Sequence, residues 1–319
     1  MPRSGVTSHS SPRALTNVGT LGLLVIIMAV AGCAHGASAT VAKKVYATGL
    51  THAAAFALDS SQRLWVATAA YTDKGTDGVY VVSHAGATPV EVITSLHTPL
   101  GLLWYHDDLY VASKERVDAY GGLVGAKFTE HRMILGFPSG VGELNNLVLA
   151  PDGRMLLGIS SPCDHCTPTS NYSAAIVSFR PDGSDLRVYA AGIRAPVGLA
   201  FTARGDLLVT MDQRDDLGDA TPGDWLARVT EGSTWGFPNA STQEPLAVLD
   251  KHAAVAGVAI QGSDAIVAEW ATGKVMRVTE AGTTSTFVTG IKNPVAVVVA
   301  ADGTVLVGDW TTGTIYRVR

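Results

Sequence analysis

The stretch GIRAPVGLAFTARGDLLVTMD, Gly192 to Asp212, decides the fold. Small residues and a proline lead into an apolar strand, a Gly-Asp turn reverses the chain, and a second apolar strand follows. DWLARVTEG, Asp224 to Gly232, supplies a third strand. The same order is found before and after it. GLTHAAAFALDSSQRLWVATAA is followed by GVYVVS, SLHTPLGLLWYHDDLYVAS by RVDAY, and ELNNLVLAPDGRMLLGISS by AAIVSFRPDG. AAVAGVAIQGSDAIVAEW with GKVMRVTEAG and GIKNPVAVVVAADGTVLVGDW with GTIYRVR complete six units. Alternating apolar residues flanked by Gly, Asp and Pro predict strands, and no long amphipathic helical pattern appears. Repeats of roughly 40 to 50 residues built from short strands predict an all-β fold, a six-bladed β-propeller over 43–319. A β-sandwich would not explain six similar units. KVYATG near the start of this region is strand-like and would complete the last blade, leaving no free edge.

The 319 residues are 47% hydrophobic and 16% charged, enough apolar material for a large core. A net charge of −5, with only 23 Lys plus Arg and no basic run, argues against nucleic acid as a partner. Arg3 and Arg13 precede an apolar run from Leu21 to Ala31, which is shorter than the roughly 20 residues of a membrane span. Small residues follow, so 1–32 reads as a secretory signal, and Cys33 after Ala31-Gly32 resembles a bacterial lipobox. The expectation is an exported protein of the cell envelope or periplasm, touching the membrane only through a lipid on Cys33. The alternative is an ordinary signal with an incidental Cys. Residues 33–42 are small and polar and suit a tether.

Export would place Cys163 and Cys166 in an oxidising compartment, where a local disulfide or free thiols are both open. Zinc needs about four ligands and His165 supplies only a third. Haem attachment needs His where Thr167 stands.

Two insertions break the repeat, Cys163 to Asn171 and Gln213 to Gly223. Loops lengthened on a rigid ring are candidates for ligand contact. The second insertion and its flanks hold Asp212, Arg214, Asp215, Asp216, Asp219 and Asp224, an acid density suited to a hard cation or, more plainly, to a solvated turn.

LAPDG (Leu149 to Gly153), CDHC (Cys163 to Cys166), GIRAPVGLAF (Gly192 to Phe201), RDDLGD (Arg214 to Asp219) and WGFP (Trp235 to Pro238) occur in order over about a third of the chain. GDWTTGTIYRV (Gly308 to Val318) closes the sequence. In order and spacing this set resembles the glucose/sorbosone dehydrogenase family, quinone-dependent six-bladed propellers that oxidise aldoses and related sugars. The resemblance implies pyrroloquinoline quinone (PQQ) and Ca2+ as cofactors over the channel mouth and a small sugar as substrate. Arg194 matches the family arginine that faces the quinone, a guanidinium fork suited to carboxylates and a developing oxyanion. Asp212 and Arg214 flank it in the same site. Asp219 to Asp224 matches the calcium loop. Trp270 and Lys274 fall at a corresponding place in the fifth unit, to stack on or pair with the cofactor. The plain alternatives are an ion pair between blades for Arg194 and packing for Trp270.

Departures from the family are equally specific. The family's proton-abstracting histidine falls at Gly142, which leaves the catalytic residue open, with Glu143 beside it as a candidate base if a desolvated pocket raises its pKa. The asparagine after the arginine is Ala195, and the acidic pair after the calcium loop reads Asp224-Trp225. Two other functions stay open. One is a metal-dependent lactonase of the gluconolactonase kind using Asn146, Asp212 and Asp309. The other is a non-catalytic envelope propeller that binds a protein or glycan.

Overall fold

The computed structural model describes residues 41–319 apart from 73 and 242. The expected signal, Cys33 and most of the expected tether lie outside them. Six four-stranded antiparallel sheets follow one another. The first blade is β2 (Ala53–Leu58), β3 (Leu64–Thr68), β4 (Asp77–Val82) and β5 (Val90–Leu96). The second is β6 (Gly101–Tyr105), β7 (Asp108–Ser113), β8 (Arg116–Val124) and β9 (Lys127–Gly136). The third is β10 (Leu144–Leu149), β11 (Met155–Ile159), β12 (Ala175–Phe179) and β13 (Arg187–Ala191). The fourth is β14 (Pro196–Phe201), β15 (Leu207–Met211), β16 (Gly223–Val229) and β17 (Ala247–Lys251). The fifth is β18 (Val255–Gln261), β19 (Asp264–Glu269), β20 (Lys274–Val278) and β21 (Thr284–Thr289). The sixth joins β22 (Pro294–Val299), β23 (Val305–Asp309) and β24 (Thr314–Val318) to β1 (Lys43–Ala47), the first strand of the ring. The expected six blades and the closing N-terminal strand are both present. Among the described residues the one helical element is a single 3-10 turn, Gly218–Ala220.

Second strands such as LWVAT, MLLGI and LLVTM are buried throughout, because each sheet is covered on both faces by neighbouring blades. Between the first two blades Trp65 is fully buried and stacks on Trp104 at 5.0 Å, with Phe128 5.5 Å away. Truncating such a ring costs roughly 3–5 kcal/mol. The first strands line the axis so closely that Gly198 has no room for a side chain. A Cβ there would lie 2.6 Å from the Ala256 carbonyl oxygen of the next blade. Ala54, Leu100, Asn146, Val197, Gly257 and Val295, one from each blade, leave a channel cavity of only about 40 Å³.

Buried carboxylates fasten the loops at one end of the ring. Asp77 accepts hydrogen bonds from the Ala70 amide (2.8 Å) and from the Thr98 amide on the approach to the second blade (3.1 Å). Asp224 does the same for the amides of Gln213 (2.9 Å) and Val255, the first residue of β18 (3.1 Å). Asp309 accepts from the amides of Lys292, Asn293, Thr311 and Thr312. Each carboxylate satisfies backbone donors that a loop buried at a blade junction would otherwise leave unpaired.

Candidate functional site

At that end a cavity of about 680 Å³ opens over the channel, sharing Tyr71, Leu100 and Val197 with its lining. Loops of the first four blades build it. Tyr71 comes from the β3–β4 loop, His97 from β5–β6, Lys114 and Glu115 from β7–β8, and Glu143 from β9–β10. Asp164 comes from β11–β12, Arg194 from β13–β14, and Asp212 follows β15.

Arg194 is the centre of the charge arrangement. Its Nη2 lies 2.6 Å from Asp164 Oδ1 and its Nη1 2.9 Å from Asp212 Oδ2. Nε also donates to the Asp164 carbonyl (3.3 Å), and Nη1 to the Asp212 carbonyl (3.2 Å). Asp164 belongs to a four-residue loop closed by a disulfide between Cys163 and Cys166, whose Cα atoms are 6.0 Å apart. The bridge settles the choice that the sequence left between disulfide and free thiols. The Asp164 carboxylate accepts the amides of Asp215 (3.2 Å) and Asp216 (2.8 Å), and His165 Nε2 donates to the Pro238 carbonyl (3.1 Å). The first insertion is therefore fastened to the second and to the WGFP turn.

Three carboxylates at this end of the ring have raised pKa values. Burial raises Glu143, the Asp212 charge raises it further, and Arg194 partly opposes. Asp212 is raised by burial against the pull of Arg194. Asp224 is pushed up to about 7, by burial first and then by Asp212, although two amides hold it. At the loop tip the imidazole of His252 donates from Nδ1 to Asp215 (2.6 Å) and from Nε2 to the Gly218 carbonyl (3.0 Å). The Asp215 hydrogen bond raises the pKa of this ring.

Of the residues selected from the sequence, Arg194, Asp212 and Glu143 share the cavity. The others lie elsewhere. Arg214 pairs with Asp216 at 2.5 Å and lines a separate cavity of about 320 Å³ with Trp225, Trp235 and Phe237. Lys274 pairs with Asp250 at 2.5 Å in the fifth blade, outside the cavity wall. Trp270, an exposed ring, stands edge-on to Trp310 at 6.4 Å, and Trp310 in turn lies 6.5 Å from Tyr71 in the cavity lining. Asn146 lines the channel, Asp309 accepts from four amides and Asp212 pairs with Arg194 in the mouth cavity, so the three proposed lactonase ligands lie apart and do not form a set. Sequence reasoning missed Tyr71, Lys114 and Asp164. Only Asp164 carried a signal, its place inside CDHC.

No protein-family model matches the chain, and no curated protein sequence matches it. Solved structures do. A glucose dehydrogenase described as a possible oxidoreductase from Thermus thermophilus superposes with a TM-score of 0.73 at 16% identity, over 88% of this chain and 100% of that one. The PQQ-bound aldose sugar dehydrogenase of Streptomyces coelicolor gives 0.73 at 18%, over 88% and 99%. The apo soluble aldose sugar dehydrogenase of Escherichia coli gives 0.71 at 15%, over 88% and 99%. The fold is thus that of the quinone-dependent sugar dehydrogenases that the sequence resembles, and at these identities the likeness is one of architecture.

The residues present do not fit the cofactors of that resemblance. The quinone is a tricarboxylate, whereas the cavity sets four carboxylates, Glu115, Glu143, Asp164 and Asp212, against two permanent cations, Lys114 and Arg194. The guanidinium that would face it is held on both edges by the chain's own aspartates. At the loop matched to calcium, the Asp219 carbonyl accepts from Lys251 Nζ (3.1 Å) and the Gly218 carbonyl from His252. Both Asp224 oxygens face amides. Two carbonyls of this loop thus already have hydrogen-bond donors from the chain itself. Among the described residues no group of three or more His, Cys, Asp or Glu is placed to hold a metal.

Proposed function

We propose that this chain is a binding propeller of sugar-dehydrogenase architecture, which captures a neutral polyhydroxylic ligand, a sugar or the end of a glycan, in the mouth cavity. The observation that carries the reading is the double pairing of Arg194 in an acidic wall. Such a wall repels anions, yet its carboxylates accept hydrogen bonds from neighbouring hydroxyls, and charge-assisted bonds of this kind are short and strong. Glu143 and Asp212 would accept hydrogen bonds from hydroxyls of the ligand, the hydroxyls of Ser139, Ser160 and Ser161 would bond its remaining oxygens, and Tyr71 offers an aromatic face. Attachment to the cell envelope through a lipid on Cys33 belongs to the same proposal and rests on the order of signal, small residues and cysteine.

A second reading, oxidation of an aldose with the quinone, is favoured by one observation. Glu143 projects into the cavity, and burial raises its pKa toward the range of a general base.

Titration calorimetry of the full chain with glucose and with longer glucans, beside a dye-coupled assay with added quinone and calcium, separates the two. Sugar binding that needs no quinone, with no dye reduction, is expected. Quinone-dependent dye reduction abolished by Glu143→Gln would replace the binding reading with the dehydrogenase.

A further inference from the structure

We propose that Asp164, carried on the disulfide-closed loop Cys163–Cys166, sets the charge selectivity of the mouth cavity, cancelling Arg194 so that neutral sugars enter and anionic ones are rejected. The inference rests on the mouth cavity being a ligand site.

The two aspartates on Arg194 are not equivalent. Asp212 lies at the end of β15 in the blade that β14 opens just after Arg194, so that contact is local to one blade. Asp164 reaches across from the loop of the preceding blade and takes the other edge of the guanidinium, the Nη2 and Nε side. With Asp212 alone the pair would be neutral and half of the fork would remain for a ligand carboxylate. With Asp164 added, the cluster carries one excess negative charge and the second edge of the fork is filled. Removing that charge leaves three carboxylates facing two permanent cations in the wall.

Asp164 is also placed with unusual rigidity for a loop residue. Between β11 and β12 the chain runs from Ser160 to Ala174 with no strand of its own. A carboxylate on such a loop would lose much conformational freedom in meeting one arginine. Here the disulfide closes a ring around Asp164 and His165, so part of that loss is already met in the covalent structure. The amides of Asp215 and Asp216 bind the carboxylate from one side, and the His165 bond to Pro238 fixes the loop from the other. The arrangement acts against a class of ligand, since selectivity is a difference of affinities and a fixed like charge is a direct way to create one.

Glucose and glucuronate share a pyranose ring and differ by one carboxylate, which makes them the probes. Calorimetry on the full chain is expected to show glucose preferred by the wild type. In Asp164→Asn the glucuronate-to-glucose affinity ratio rises about tenfold or more, and the rise shrinks as salt is added. Asp164→Glu keeps the charge and returns the ratio toward wild type. The double variant Cys163→Ser/Cys166→Ser, which frees the loop without altering charge, moves the ratio part of the way. If Asp164 only supports the fold, Asp164→Asn weakens both sugars alike and leaves the ratio unchanged, which overturns the proposal. Failure of every variant to bind glucuronate overturns it as well. If the wild type binds neither sugar while Asp164→Asn binds glucuronate, the neutral-ligand reading falls and the selectivity role stands.

Discussion

Gly142 shows at the scale of one residue how the backbone departs from the pattern of the family that the sequence resembles. Its φ of +108° is one that L side chains rarely adopt, and a Cβ built on it would lie 2.0 Å from the Ser160 carbonyl oxygen. The histidine of the resembling family is therefore more than missing here, because the local backbone excludes any side chain at this position. Glu143, one residue on, is the group that enters the cavity instead. Gly142→His is expected to destabilise the protein by roughly 2–4 kcal/mol, read by urea unfolding, and to produce no dye reduction with added quinone. A variant with wild-type stability would show that the loop can re-form around a side chain. Sequence alone exposed the glycine but not its cause, since neither φ nor the Ser160 carbonyl has a sequence signature. The same holds for the clamp on Arg194. GIRAP marks the arginine, but Asp164 is 30 residues away in the chain, and only the blade-to-blade register brings it to Nη2.

Among elements, the inner three strands of each blade are legible in the sequence, and of the outer ones only KVYATG, now β1, is. LWVAT and LLVTM are apolar because both faces are covered, so they announce themselves. Strand β9, KFTEHRMILG, is exposed along most of its length and holds to β8 through backbone pairing, which leaves almost no hydrophobic pattern to read. Trp270 and Lys274, matched by analogy between blades, lie outside the lining of the mouth cavity, which comes from blades one to four. The loop aspartates were read as metal ligands or as turn caps, and Asp224 proves to be a staple between the fourth and fifth blades. That role has a pH signature. The folded protein holds the Asp224 proton up to about 7, whereas the unfolded chain releases it near the ordinary value of roughly 4. Below that lower value both states are protonated and the stabilisation is complete. As pH rises through the interval only the folded state retains the proton, so stability is lost, and above the folded value the loss is finished. Asp224→Asn has no such titration. Subtracting its unfolding free energy from that of the wild type at each pH cancels the other carboxylates. The difference is expected to fall by about 1–4 kcal/mol across the window. A flat or rising difference would mean that Asp224 is ionised throughout.

At the scale of the whole molecule the ring depends on one strand supplied from the other end of the sequence. Strand β1 pairs antiparallel with β24, Lys43 opposite Val318 and Ala47 opposite Ile315. It therefore covers the outer edge of the sixth blade. Ala47 is buried with Leu50 and Ile315, and Val41 packs against a second cluster that includes Val307 and Val318. Lys43 Nζ donates to the Thr289 carbonyl in the fifth blade, so the same segment ties two blades together. Without β1, β24 becomes an exposed edge with a row of unpaired backbone groups, a template for pairing with another chain. A chain beginning at Val41 keeps the strand, and one beginning at Thr48 loses it and nothing else of the propeller. The Val41 chain is expected to unfold cooperatively as a monomer. The Thr48 chain is expected to melt roughly 10 °C or more lower and to self-associate in a concentration-dependent way, read by calorimetry and sedimentation velocity. Equal melting temperatures with both chains monomeric would show that three strands suffice for the sixth blade and that the ring is held shut by blade-to-blade packing alone.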